Sequence, residues 1–281
     1  MPLLYRYLSD WRSLFPGGSA GILQLMYPPL GTAVAKQSDF FENPFGRVYR
    51  SIPQIWATVL KPDGAARARH IRDLHRSIQG TDDTGRPYHA LDPETYWWAH
   101  ATFTWEVFES IRLFHRGGLD RVDVDCLYAE TLTWYELYGV RYNELPPDYG
   151  AFCEHYERIC GDKLEMTRAA RCTLDMAISG QWRLPLTKSN FKDPLTRNAG
   201  RLVVIGAMPE IVRERFDLPW TDADQKWFER ICRLGRWGFA MVLPRINRRM
   251  MSFTLRYVGS ATRHERYLPP AKPSAAAVQE L

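Results

Sequence analysis

Seven histidines are spread along the chain, and two of them fall where an imidazole could bind iron or move a proton. His100 follows Tyr96-Trp97-Trp98-Ala99, and helical spacing groups it with Trp97, Phe103, Thr104, Val107 and Ile111. An imidazole on such an apolar stripe must find a partner, because burying it unpaired costs about 1–3 kcal/mol. Two readings satisfy that demand. One is a hydrogen-bonded core histidine; the other is an axial ligand to haem iron, with the aromatic neighbours covering the porphyrin. His75 is the second position. Arg72 lies three residues before it, which puts both on one helix face, with Ile71, Leu74 and Ile78 on the apolar side. A guanidinium there could pair a propionate or polarise a bound oxygen species. Alternatively, Arg69, Arg72 and Arg76 form a solvated stripe with His75 at its edge. His70 points well away from His75 and reads as surface.

Other chemistries lack their residues. There is no HExxH, Walker phosphate loop, GxGxxG or GxSxG, and Cys and His never occur at paired zinc-ligand spacing. The five cysteines, at 126, 153, 160, 172 and 232, contain no CxxC pair and suit reduced thiols in a cytosolic protein.

The elements that must hold these residues are helical. Asp92-Pro93-Glu94 is a strong helix start, and the helix carrying His100 can run to Gly117-Gly118. Asp63 can cap the helix of Arg72 and His75, which runs to about Ile78 and stops at Gly80; Thr81 to Pro87 is a turn-rich loop. Further helices fit 1–14, 20–35 (broken by Pro28-Pro29), 123–138, 148–160, 164–179, 193–207 and 209–216. A capping box at Thr221-Asp222-Ala223-Asp224 opens another towards Leu243, and Pro244 starts the last, to about Val258. Only Arg201 to Ile205 reads as β-rich. The expected fold is one all-α domain over residues 1–267 enclosing a pocket, followed by a disordered tail over 268–281.

At 281 residues, with 45% hydrophobic and 25% charged residues, the chain can bury a full core; disorder and a disulfide scaffold are excluded. No secretory signal is visible. The uncharged stretch 13–35 carries three prolines and four glycines, and so reads as broken buried helix rather than a membrane span. The net charge is only +5, so no nucleic-acid partner is expected. Arg245, Arg248 and Arg249 are the densest basic cluster, read as a solvated helix face that could also meet anionic lipid. The expected location is therefore cytoplasmic, with peripheral membrane contact left open. Oligomeric state is not legible.

Several segments in order resemble the MpaB-type oxygenase family, which shares its catalytic domain with the latex-clearing rubber oxygenases. They are Gly21 to Pro28, Ser38-Asp39-Phe40, Asn43-Pro44-Phe45-Gly46-Arg47, Ile71 to His75, Gln79-Gly80 and Asp83 to Tyr88. Tyr96 to Ala101, Tyr128-Ala129-Glu130, Leu137 to Val140 and Leu145-Pro146-Pro147 continue the series, with an echo in Leu243-Pro244-Arg245. The resemblance spans about residues 20–160. It implies a helical fold holding haem b, dioxygen as co-substrate, and a hydrophobic substrate of the isoprenoid type. Trp98-Ala99-His100 matches the motif whose histidine is the proximal iron ligand. Arg72 matches an arginine of the distal helix, and His75 stands where rubber oxygenases carry Lys. His75 is thus expected on the distal side, as iron ligand, as base or as a gate to the site. Arg47 is expected near a haem propionate, and Glu130 as acceptor for the second ring nitrogen of His100. Tyr27 replaces a histidine expected before Pro28. Two further classes stay open: a non-catalytic bis-histidine haem protein for sensing or electron transfer, and a haem-free helical small-molecule binding module.

Overall fold

The computed structural model describes residues 1–179 and 194–261. Thirteen α-helices occur among them: α1 (Leu3–Leu8), α2 (Gly17–Met26), α3 (Pro28–Gln37), α4 (Pro44–Leu60), α5 (Gly64–Leu74), α6 (Pro93–Phe114), α7 (Val124–Glu136), α8 (Tyr149–Asp162), α9 (Arg168–Ile178), α10 (Pro194–Gly206), α11 (Glu210–Arg215), α12 (Asp222–Ala240) and α13 (Pro244–Ala261). The fold is all-α. The boundary expected at residue 267 and the tail lie outside the described residues.

Helix α6 is the axis of the molecule. The Asp92 carboxylate accepts from the Thr95 backbone N–H, Pro93 occupies the first turn, and the helix ends where Gly117 turns left-handed at φ 82°. α6 packs against α1, α2, α3, α7 and α12. Buried indoles tie the helices together: Trp98 Nε1 of α6 donates to the Leu23 carbonyl of α2 at 3.1 Å, and Trp134 Nε1 of α7 donates to Thr58 Oγ1 of α4 at 2.7 Å. Trp56, Trp97, Trp98 and Trp134 are all fully buried, and truncating any one to Ala costs about 3–5 kcal/mol.

Three features depart from the sequence reading. The stretch 1–14 is not one helix: Asp10 caps a 3-10 turn at Trp11–Leu14 and pairs with Arg12. Helix α4 had no counterpart in that reading, because Pro53 sits in its interior. It forms because Asn43 caps Gly46 N–H and Pro44 opens the first turn. A Cβ on Gly46 would fall 2.2 Å from the Asn43 side chain, so only glycine permits this cap. Finally, α5 stops at Leu74 rather than Ile78, with His75 as its C-cap, and the chain enters a two-stranded hairpin pairing Gln79 with His89 and Thr81 with Pro87. The Asp82 carboxylate closes the hairpin loop by accepting from Thr84 and Arg86 backbone N–H groups. The β-rich run at 201–205 lies inside α10, and the Thr221–Asp224 capping box forms as read.

Candidate functional site

A cavity of about 390 Å³ lies between α2, α3, α4, the end of α5, α6 and α13, within the size range of small-molecule and cofactor sites. Its wall is mainly apolar, with Leu25, Leu30, Ile52, Ile71 and Phe103 among the residues that line it. α6 contributes Thr95, Tyr96, Ala99, His100, Phe103 and Glu106, a three-and-four spacing that marks one helix face. Thr104, Val107 and Ile111, grouped with His100 from sequence, pack into the core instead. Trp97 turns away to stack on Tyr142.

His100 is 6% exposed and reaches this cavity. Its Nε2 lies 3.0 Å from the Thr131 carbonyl, which can only accept, so Nε2 carries the proton. Nδ1 is then the lone-pair nitrogen, and it is buried with no hydrogen-bond partner. Burial pushes the imidazole pKa down to about 4, so it is neutral at physiological pH. A ring held by a backbone carbonyl through one nitrogen and open at the other is how proteins orient a metal ligand. The acceptor is the Thr131 carbonyl, not Glu130. Glu130 accepts from the Leu3 and Leu4 N–H groups and caps α1, whose first-turn donors outcompete a buried neutral imidazole for a carboxylate.

His75 is half-buried and lines the same cavity, beside Leu74, which is exposed. Its Nδ1 donates to the Ile71 carbonyl at 2.7 Å, leaving the Nε2 lone pair available. Burial, then the charge of Arg47, lowers its pKa below the ordinary histidine value. Arg47 also lines the cavity. Its guanidinium is desolvated, and the nearby Asp39 carboxylate is held by Arg50 at 2.5 and 2.6 Å. Arg47 therefore brings a half-buried positive charge with no ion-pair partner of its own among the described residues. Arg72 is not brought to the cavity. Its Nε and Nη2 pair with Asp73, and Nη1 donates to the Tyr138 carbonyl at 3.3 Å. The i,i+3 relation to His75 holds in the backbone, but Asp73 and the Tyr138 carbonyl keep the Arg72 guanidinium out of the cavity. Tyr27 is buried against Trp98, ring centroids 6.0 Å apart, and does not line the cavity.

One residue was missed from sequence. Glu106 lines the cavity and is 1% exposed. The available signal was its position as the sole acid in the run from Thr95 to Phe108.

The donor set fits a haem. No group of three His, Cys, Asp or Glu side chains could hold a bare metal ion among the described residues. A porphyrin brings four nitrogens itself and needs only an axial imidazole, which His100 Nδ1 can supply, and a cation for a propionate, which Arg47 can supply.

An α-helical bundle enclosing a histidine-lined apolar cavity defines a class of cofactor- or ligand-holding catalytic domains rather than a single activity. Residues 5–237 match the family model described as ER-bound oxygenase mpaB/B'/Rubber oxygenase, catalytic domain, and the chain belongs to that family. The match reaches beyond the 20–160 span of the resemblance at both ends. No curated protein and no solved structure matches the chain. It is thus an oxygenase-type catalytic domain, a class that uses dioxygen and an organic substrate. No helix among the described residues is long and apolar enough to cross a membrane.

Proposed function

We propose that this chain is a haem b-dependent oxygenase of an apolar, uncharged substrate, with an isoprenoid-type alkene as the class the family resemblance implies. The observation that carries the reading is the orphaned, buried Nδ1 of His100 in the cavity wall, on a ring kept neutral by burial and oriented by Thr131. In this reading His100 is the proximal ligand. When bound, haem supplies the one-electron and dioxygen chemistry that side chains lack.

The chain's own groups have separable roles. Arg47 neutralises a carboxylate at the cavity wall. His75 is unprotonated at neutral pH and would offer Nε2 as hydrogen-bond acceptor or base to a group bound in the cavity. Arg72 acts through position, since its fork to Asp73 and the Tyr138 carbonyl ties the end of α5 to the segment after α7. The apolar wall excludes water from reactive species.

The family description includes ER-bound members, and one surface here suits a membrane partner. On α12, α13 and the turn between them, Trp237, Met241, Leu243 and Ile246 are exposed, interleaved in sequence with exposed Arg233, Arg245, Arg248 and Arg249. Exposed apolar and basic side chains together are the combination that seats at an anionic lipid surface.

Haem titration of the purified chain tests the proposal, with visible spectra taken before and after dithionite and carbon monoxide. Stoichiometric uptake with a Soret band is expected, and His100→Ala should abolish it while helical circular dichroism persists. A low-spin six-coordinate spectrum that His75→Ala converts to high-spin would favour the bis-histidine, non-catalytic class. Absence of any Soret band would leave the haem-free binding module.

A further inference from the structure

The cavity has a second polar position that the roles assigned above do not use. Glu106 follows His100 and Phe103 along the cavity face of α6 and is almost wholly buried. Its Oε2 has no hydrogen-bond partner, and no described cation pairs with it. The fold's other buried acid, Glu109, is engaged, holding Arg112 at 2.5 and 2.7 Å, and the half-buried Asp10 holds Arg12, among the described residues. Burial alone raises the Glu106 pKa well above the ordinary glutamate value, so the group is a neutral acid with an O–H to donate.

The space before it is kept open by glycine. A Cβ on Gly17 would stand 3.0 Å from Glu106 Oε1, and a Cβ on Gly21, also in the wall, would meet nothing within 4 Å. The neighbouring lining side chains Trp11, Phe15 and Phe103 are aromatic. An unpaired acid in an apolar wall lowers stability without serving the packing. It is explained by a ligand atom that it meets.

We propose that Glu106 hydrogen-bonds an uncharged oxygen function, a hydroxyl or carbonyl, on an otherwise apolar substrate, and so positions that molecule in the cavity it shares with His75 and His100. This inference rests on the proposed function for the word substrate; the binding site itself does not. A neutral oxygen needs only one hydrogen bond from the protonated acid. An ammonium would require two buried charges to be desolvated together, with no further donors or acceptors at hand.

The test is ligand titration of the purified chain by tryptophan fluorescence, since Trp11 lines the cavity. The probes are 1-octanol, 2-octanone, octane and octylamine. Wild type should bind the alcohol and ketone at least tenfold more tightly than octane. Glu106→Leu should lose that preference while still binding octane, and Glu106→Gln, which keeps a donor of the same shape, should retain most of it. A wild type that does not discriminate, a leucine variant that keeps the preference, or octylamine as the tightest probe would overturn the inference. Haem titration of the same variants separates it from the proposed function. Glu106→Leu should take up haem as wild type does; loss of uptake would instead assign Glu106 to the haem surroundings and overturn the inference. Should wild type take up no haem yet keep its alcohol preference, the oxygenase reading fails and the ligand site stands. Glu106→Leu should also melt above wild type, which guards against reading misfolding as lost binding.

Discussion

His100 and Glu106 face one cavity from one helix, and burial does opposite things to them. At His100 it pushes the pKa down and leaves a neutral base with a bare lone pair; at Glu106 it pushes the pKa up and leaves a neutral acid with a proton to give. Neither change needs a neighbouring charge. The lesson is that one low-dielectric wall can present an electron-pair donor and a hydrogen-bond donor side by side. Chemical contrast within the cavity comes from residue type, with dielectric held constant.

The contrast should appear first in stability against pH. Between about pH 6.5 and about 4 the unfolded His100 takes a proton that the folded one refuses, so its share of stability falls as pH falls. The full loss is about 3 kcal/mol. His115, also pushed to about 4 by burial and Arg12, adds to the same acid limb. In urea melts, His100→Leu should therefore gain on wild type as pH drops through this window; an unchanged acid limb would show that the ring is not buried neutral.

Glu106 gives the reverse slope. Above about pH 4.5 the unfolded carboxyl releases a proton that the folded one keeps, so wild type loses stability as pH rises from there. Glu106→Leu should be more stable at pH 7 by about 1–3 kcal/mol, with the gain shrinking towards pH 4.5. A destabilised leucine variant would mean that the acid serves the fold.

A smaller effect is expected at Arg47. Removing a partly desolvated guanidinium with no carboxylate of its own should raise the melting temperature of the haem-free chain slightly, while Arg47→Ala weakens haem binding about tenfold, the worth of one charge-assisted hydrogen bond. Equal haem affinity in the variant would place the propionates elsewhere.

How far these features were legible in sequence depends on their range. Helix α6 was readable because Asp92 and Pro93 act within four residues, and the Thr221–Asp224 capping box for the same reason. Helix α4 was hidden by Pro53, whose local signal argues against helix while packing against α5, α13 and α1 argues for it. His100 was legible as an unusual imidazole, but its acceptor was not, because a backbone carbonyl 31 residues away carries no sequence signal. Arg72 and His75 stand three apart as read, but the Tyr138 carbonyl that holds the Arg72 guanidinium is 66 residues away and carries no sequence signal. Glu106 was the least legible, since its isolation depends on what α2 lacks at Gly17 and Gly21.

The single helix that carries both polar groups has one more implication. Glu106 lies six residue steps after His100 on α6, and a helix rises 1.5 Å per residue, so their backbone positions are about 9 Å apart along its axis. An α-helix barely stretches, which makes this segment a ruler. On the proposed reading, it fixes the spacing between the residue that would hold the iron and the residue that would hold the substrate's oxygen. A residue inserted between the two would turn Glu106 by about 100° out of the cavity and erase the scale altogether.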